Sequence, residues 1–322
     1  MNAPRVLLHT NALDEAMDVV KAAHTDLDVV GCASHTDLPV QIESHRPDVI
    51  YGVRFDDGSA FPRDALLAAP GLKWLAVGGS GTDHLGHWDT ACLDVTNTAG
   101  IAADMMAQYT LGTLLSFTLG LPRFRELQRA REWDRGAMVE SIEDKRVLIV
   151  GLGHTGRAVA ARCKALGLAV TGVRARPCAT EHVDAVHPTE ALLGLIPDAD
   201  VIVVCVPRLP QTLGLIGPAA FGAMKRSAIL IDVSRGGVTD EAALLEALTE
   251  RRIRGAALDV FATEPLPRDH PLWACDNAIV TPHCSSVSAD WSRKSVQHFC
   301  DNLARFRSGE PLTNVVDPVR GY

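Results

Sequence analysis

Three polar residues, Arg235, Glu264 and His283, each stand just past a short apolar run: AILIDV (228–233), GAALDV (255–260) and AIVTP (278–282). A guanidinium, a carboxylate and an imidazole together suit the reduction of a carbonyl. The guanidinium binds and polarises a 2-oxo acid, the imidazole gives a proton to the carbonyl oxygen, and the carboxylate orients and charges the imidazole. Singly, each residue type is ordinary at a protein surface. Their shared place after strands is what points to a site, because open α/β sheets bind ligands at the carboxyl ends of their strands.

A second motif supplies the partner such chemistry needs. Gly151-Leu-Gly153-His154-Thr155-Gly156 follows the run KRVLIV (145–150) and opens a helical pattern at Arg157. In that setting the first glycine allows the tight turn, the second lets a pyrophosphate approach the backbone, and the third lets helix pack on strand. The helix start then offers N–H groups to the phosphates. An NAD site needs a carboxylate about twenty residues on. Here the run LAVTGV (168–173) leads into Arg174-Ala-Arg176, and Arg174 lies 18 residues after Gly156. A planar, permanently charged guanidinium suits a 2′-phosphate, so NADP(H) is expected in preference to NAD(H).

The elements that must position these residues are legible in outline. RVLLH (5–9), DVV (28–30), DVIYGV (48–53), LKWLAV (72–77) and DVTNT (94–98) read as strands, with helical pieces at 12–23 and 63–69. A buried helix is expected from 100 to about Leu121, followed by the Arg-rich segment 123–136. Six further strands, the four runs named above with LAVTGV and DVIVVCV (200–206), and a tail helix over 287–307 complete the pattern. Alternating strands and helices mean parallel sheets, and near-continuous Val/Ile/Leu runs mean strands buried on both faces.

Composition narrows the function classes. A net charge of −8 over 322 residues disfavours nucleic acid, whose binding leans on Lys/Arg–phosphate contacts. Eight scattered cysteines without a C-x-x-C pair, and an N-terminus with no apolar leader, read as a reduced, cytoplasmic chain. Met105 to Pro122 carries no formal charge but includes Gln108, Thr110, Thr113, Ser116 and Thr118, so a buried helix is expected rather than a membrane span. His84 and His87 lack a third ligand, so no metal is expected. The five tryptophans, Trp74, Trp88, Trp133, Trp273 and Trp291, are dispersed and expected to pack in cores.

The segments GLGHTGRAVA, LIDVSRGGVTDEAALLEAL, GAALDVFATEPLP and NAIVTPHCSS resemble the D-isomer-specific 2-hydroxyacid dehydrogenase family, and VGGSGTDHLG (77–86) is similar to its substrate loop. The resemblance implies catalytic Arg235, Glu264 and His283, with the backbone of Gly79, Ser80 and Gly81 holding the substrate carboxylate. It implies that Asp259 faces the nicotinamide carboxamide and that Val206, Pro207, Val233 and Ser234 line the cofactor cleft. The implied fold is a Rossmann-type doubly wound parallel sheet (100–286) inserted into a smaller flavodoxin-like α/β substrate-binding domain (1–99 plus 287–322). Helices near 101–120 and 287–307 would be hinges, and a homodimer would use the arm near 123–143. Arg174 departs from the Asp many members carry. The implied activity is reduction of a small 2-oxo acid to a D-2-hydroxy acid with NAD(P)H. The alternatives are an NAD(H)-sensing, corepressor-like binding protein, or a dehydrogenase of a small anion such as phosphite or formate.

Overall fold

The structure, a computed structural model, describes residues 3–320. It divides into two compact units, one of residues up to Ile101 and from Ser288 onward, the other of Ala102–Val287.

In the first unit, β1 (Val6–His9), α1 (Leu13–Ala23), β2 (Val29–Cys32), α2 (Leu38–His45), β3 (Val49–Gly52), α3 (Arg63–Leu67), β4 (Trp74–Val77) and β5 (Asp94–Thr96) follow in turn. The sheet is parallel, in the order β2-β1-β3-β4-β5. That is the flavodoxin-like order, which reverses between β1 and β3. Strand residues alternate between two cores: Leu7, Ile50 and Leu75 face one, while Val6, Leu8, Val49, Tyr51 and Trp74 face the other. This alternation is why the strands read as unbroken apolar runs.

The second unit begins with α4 (Ala103–Leu119) and α5 (Leu121–Ala130), then β6 (Arg146–Val150), α6 (His154–Ala165), β7 (Ala169–Val173) and β8 (Ala185–His187). It continues through α7 (Leu192–Leu195), β9 (Val201–Val204), α8 (Pro218–Ala223), β10 (Ile229–Asp232), α9 (Glu241–Thr249), β11 (Gly255–Leu258) and β12 (Ala278–Val280). Seven parallel strands lie in the order β12-β11-β10-β9-β6-β7-β8. The doubly wound order reverses at β6, between β7 and β9, so the glycine turn sits at the switch point. Leu148, Val150, Ile202, Val204 and Leu230 pack on one face of this sheet. Val147, Ile149, Val201, Val203 and Ile231 pack on the other, with α4 residues Ala107 and Leu114. The tail helix α10 (Trp291–Ser308) belongs to the first unit, where Val296, Phe299, Cys300 and Leu303 join the core of Trp74 and Tyr51.

Several expectations need correction. The second sheet has seven strands, not six, because Ala185–His187 pairs with β7; three residues are too few to show a periodic pattern. Strands expected to reach 206, 233, 260 and 282 stop at Val204, Asp232, Leu258 and Val280. Their last residues leave the ladder for the loops described below. The uncharged stretch 105–122 is broken at Gly120, which turns into the left-handed region at φ 67° and starts α5. No helix among the described residues is long and apolar enough to cross a membrane. Trp133 and Trp273 are exposed rather than packed.

Two of the three glycines in the glycine turn are sterically required. Gly151 has φ 101°, and a Cβ there would lie 2.8 Å from the Cys205 carbonyl oxygen. A Cβ on Gly156 would meet the Gly151 carbonyl oxygen at 1.9 Å, whereas Gly153 faces open space. Gly156→Ala should therefore lower stability by about 3 kcal/mol or more, because the obstacle is backbone that cannot rotate aside. Gly153→Ala should cost under about 1 kcal/mol, as for other substitutions at a helix N-cap. Urea unfolding of the two variants checks the contrast, and equal midpoints would refute it.

Candidate active site

Every candidate residue of the second unit lies just beyond the carboxyl end of a strand or on the helix that follows. Gly151–Gly156 follow β6, Arg174 and Arg176 follow β7, and Val206 and Pro207 follow β9. Val233, Ser234 and Arg235 follow β10, Asp259 and Glu264 follow β11, and His283 follows β12. The last three strands are neighbours in the sheet, so their loops share one edge.

Two of the polar residues touch directly. His283 Nδ1 lies 2.8 Å from Glu264 Oε2, with the two side chains 39 % and 35 % exposed. An ionised carboxylate only accepts, so the proton of this bond sits on Nδ1, and Nε2 is the ring nitrogen left for other chemistry. The other Glu264 oxygen, Oε1, accepts the Phe261 N–H at 2.8 Å, which fixes the carboxylate against its own loop. Arg235 Nη1 donates to the Ser234 carbonyl at 2.7 Å. The Arg235 loop abuts the Glu264 loop at Gly236, where a Cβ would meet the Phe261 carbonyl oxygen at 1.8 Å. No side chain fits there, and that glycine lets the two loops touch.

Below these loops lie two fully enclosed carboxylates. Asp232, the last residue of β10, accepts from Ser234 N–H at 2.9 Å, Ser234 Oγ at 2.5 Å and Thr239 Oγ1 at 2.6 Å. It thereby ties down both ends of the segment that carries Arg235. Burial pushes the Asp232 carboxyl above the usual carboxylate range, against the pull of those hydrogen bonds. Asp259, just past β11, accepts from Thr281 Oγ1 at 2.6 Å, Cys284 N–H at 2.9 Å and Ser285 N–H at 2.8 Å. Those donors flank His283. Since Thr281 donates to Asp259, the Tyr109 hydroxyl on α4 must donate to Thr281, at 2.8 Å.

His283 needs such anchoring. Its φ of 52° lies in the left-handed region, which costs a residue with a Cβ roughly 1–2 kcal/mol. The His283 N–H closes a γ-turn on the Thr281 carbonyl at 3.0 Å, and Asp259 grips the two amides that follow. In this structure the carboxylate expected to face a cofactor is therefore engaged in holding the histidine loop. Asp232, Thr239, Tyr109 and Thr281 were not singled out from the sequence. The available signal was an Asp ending each of two otherwise apolar runs, ILID and AALD.

The phosphate end of the site is built from backbone. Gly153 caps α6 with no side-chain acceptor on the first amides, and Cys205 Sγ donates to the Gly151 carbonyl at 3.3 Å, bracing the turn. Burial pushes the Cys205 thiol up to about 12, so it stays neutral. His154 is lowered by burial and by Arg157. The Thr155 hydroxyl is directed to Met106 Sδ at 3.4 Å, on α4. Val206 and Pro207 are half-buried, and Val233 and Ser234 are buried. Arg174 is half-buried with Nη1 3.2 Å from Cys178 Sγ, while Arg176 is exposed.

In the first unit, the residues after β4 form a second backbone feature. Thr98 N–H holds the Gly79 carbonyl at 3.1 Å, Asn97 Nδ2 holds the Ser80 carbonyl at 2.8 Å, and Thr98 Oγ1 and Ser295 Oγ both reach the Gly78 carbonyl at 2.9 Å. Among the described residues, the N–H groups of Gly79, Ser80 and Gly81 meet no acceptor. His84 sits on a short turn (Asp83–Leu85) and His87 lies outside it. No group of three possible metal-ligating side chains occurs among the described residues.

Known proteins place the chain. Residues 111–285 match the family model described as D-isomer specific 2-hydroxyacid dehydrogenase, NAD binding domain. The chain belongs to that family, and its second unit carries the family's Rossmann-like domain. A D-3-phosphoglycerate dehydrogenase of Methanocaldococcus jannaschii is 32% identical over 272 residues, 81% of this chain and 50% of that relative. The chain thus spans half the length of that protein. A D-isomer specific 2-hydroxyacid dehydrogenase from Xanthobacter autotrophicus Py2, solved with NADPH and MES, superposes with a TM-score of 0.84 at 31% identity. That match covers 99% of this chain and 100% of that one. An NADPH-dependent glyoxylate/hydroxypyruvate reductase from Sinorhizobium meliloti, solved with NADP and sulfate, gives 0.83 at 27% identity, with the same coverage.

Asp259→Asn replaces one accepting oxygen with a donor and leaves at least one of the three donors gathered on the buried carboxylate unpaired. It should lower stability by about 2 kcal/mol, read as a shift of the urea midpoint. An unshifted midpoint would exclude Asp259 as the anchor of the His283 loop.

Proposed function

We propose that this protein reduces a small 2-oxo acid to the D-2-hydroxy acid, with NADP(H) as the preferred dinucleotide. The observation that carries the reading is the Glu264–His283 bond of 2.8 Å, made by a histidine held in a left-handed conformation with its second ring nitrogen left for substrate.

The residues fit a dinucleotide. The open position at Gly153 and the first amides of α6 would take the pyrophosphate. Arg174, with Arg176, would take a 2′-phosphate, and Val206, Pro207, Val233 and Ser234 would wall the cofactor. Asp259 would act toward the nicotinamide end through the histidine loop that it holds. When bound, a reduced nicotinamide supplies the hydride that the carbonyl carbon takes up.

The chain's own groups do the rest. The N–H groups of Gly79, Ser80 and Gly81 hold the substrate carboxylate, and Arg235 binds and polarises the 2-oxo group. His283, oriented by Glu264, would hold a proton at Nε2 and pass it to the carbonyl oxygen as the alcohol forms. Residues up to Ile101 and from Ser288 then make a substrate-binding domain, and Ala102–Val287 a dinucleotide-binding one. Similarity to the glyoxylate/hydroxypyruvate reductase supports this substrate class over a nucleotide-sensing binding protein or a dehydrogenase of phosphite or formate.

Beyond α5, Trp133, Met138 and Val139 are 89 %, 91 % and 58 % exposed. Such apolar side chains on one short arm support a homodimer that covers them. Light scattering should give twice the chain mass. Trp133→Glu with Met138→Glu should give the monomer mass, and an unchanged mass would refute the arm as the interface.

Turnover is tested with glyoxylate and hydroxypyruvate against NADPH and NADH. His283→Asn should lower kcat by about 10²- to 10⁴-fold. Arg174→Asp should cost NADPH roughly 10- to 100-fold in kcat/KM, the worth of a charge-assisted hydrogen bond, and leave NADH little changed. A native preference for NADH would overturn the cofactor assignment, and no turnover of any 2-oxo acid the reaction itself.

A further inference from the structure

The first unit holds two histidines that the proposed reaction does not use. His9, the last residue of β1, is fully buried, and His35, just past β2, is 2 % exposed. His9 Nδ1 lies 3.0 Å from the Cys32 carbonyl oxygen, and His35 Nε2 lies 2.8 Å from the Phe55 carbonyl oxygen. Between the rings, His9 Nε2 and His35 Nδ1 face each other at 2.7 Å. Each of these three gaps needs one proton, because a carbonyl oxygen only accepts and two bare ring nitrogens repel. Two neutral imidazoles bring two protons. Filling all three gaps takes a third proton, which would sit between the rings and give the pair one net positive charge.

We propose that His9 and His35 form a proton-sharing latch that positions residues 54–57, the loop after β3, for substrate. Both are positioning residues that act through the loop. The inference rests on the functional reading above, because it gives the loop a part in substrate binding at the sheet edge that also presents Gly79–Gly81.

The contacts of His35 converge on that loop. His35 holds it twice, through its ring to the Phe55 carbonyl and through its backbone N–H to Asp57 Oδ2 at 2.7 Å. The Phe55 ring packs against both imidazoles, with centroids 4.3 Å from His35 and 5.1 Å from His9. Arg54, one residue earlier, is exposed at the end of β3. In the sheet β3 lies between β1, which carries His9, and β4, which leads to Gly79.

The surrounding charges favour one shared proton and no more. Asp57 supplies the opposite charge, and the Ser59 hydroxyl, then the His35 amide, hold its carboxyl down at about 2. Burial lowers His9 to about 4, and the charge on His35 adds to that effect. A further proton therefore enters the pair only in acid. The Cys32 thiol donates to the Ser34 carbonyl at 3.1 Å and is raised by burial, so it stays neutral. Asp37 acts on that thiol, and His84 lies beyond the Phe61 ring.

The test begins with the native protein labelled with ¹⁵N-histidine. At neutral pH, one strongly deshielded proton should correlate with both His9 Nε2 and His35 Nδ1. It should vanish on the alkaline side, and amide exchange in residues 54–57 should quicken over the same pH range. A missing bridging proton at neutral pH, or loop exchange that ignores its loss, would overturn the latch. His35→Gln keeps a donor for Phe55 but removes the titration. It should raise KM for the 2-oxo acid roughly tenfold, less than a misplacement of about 1 Å can cost, with kcat nearly unchanged. His9→Phe should do the same. An equal loss in kcat would mark the pair as merely structural. A bridged proton in a protein that turns over no 2-oxo acid would refute the functional reading and leave the latch standing.

Discussion

The candidate site depends on two carboxylates that water does not reach. Asp232 and Asp259 each gather three donors from the loop beside them. Removing either would leave buried donors unpaired, at about 1–3 kcal/mol each. That asymmetry gives the loops one conformation. The left-handed backbone of His283 is tolerable because amides on its far side are already committed to Asp259. Imidazole direction is thus set below the surface, and Glu264 refines it from above.

Glycine completes what the carboxylates begin. Gly236 lets the Arg235 loop touch the Glu264 loop, and Gly156 lets α6 lie on the turn that follows β6. In both places a backbone carbonyl occupies the volume a methyl group would need. The sheet order brings β10, β11 and β12 side by side, but the sheet alone would only put three loops in the same neighbourhood. Close backbone contact converts neighbourhood into geometry.

Much of this was legible in the sequence. The apolar runs gave both sheets, because strands buried on each face cannot hide their composition, and the glycine spacing placed the switch point. His283 and Glu264 were found as a pair because each follows a run that could only be a strand. Other features left weaker marks. β8 is too short to show a period. The ends of β9 to β12 were overextended because Val206, Val233 and Val260 are apolar for reasons outside the ladder. Tyr109 sits on a helix 172 residues from Thr281, and no local pattern encodes such a contact. The histidine pair was invisible for the same reason, being joined across the ends of two strands.

The net charge of −8 looks unpromising for a protein proposed to bind a dinucleotide and a small acid. The arrangement of donors removes the conflict. At physiological salt, charges farther apart than about 8 Å are largely screened, so the overall sign matters less than the groups within contact. Those groups are mostly uncharged: the first amides of α6, and the N–H groups of Gly79, Ser80 and Gly81. Fixed backbone dipoles bind an anion with little reorganisation and need no counter-ion when the site is empty. On the proposed reading, cations are then required only where discrimination or polarisation is needed, at Arg174 with Arg176 and at Arg235.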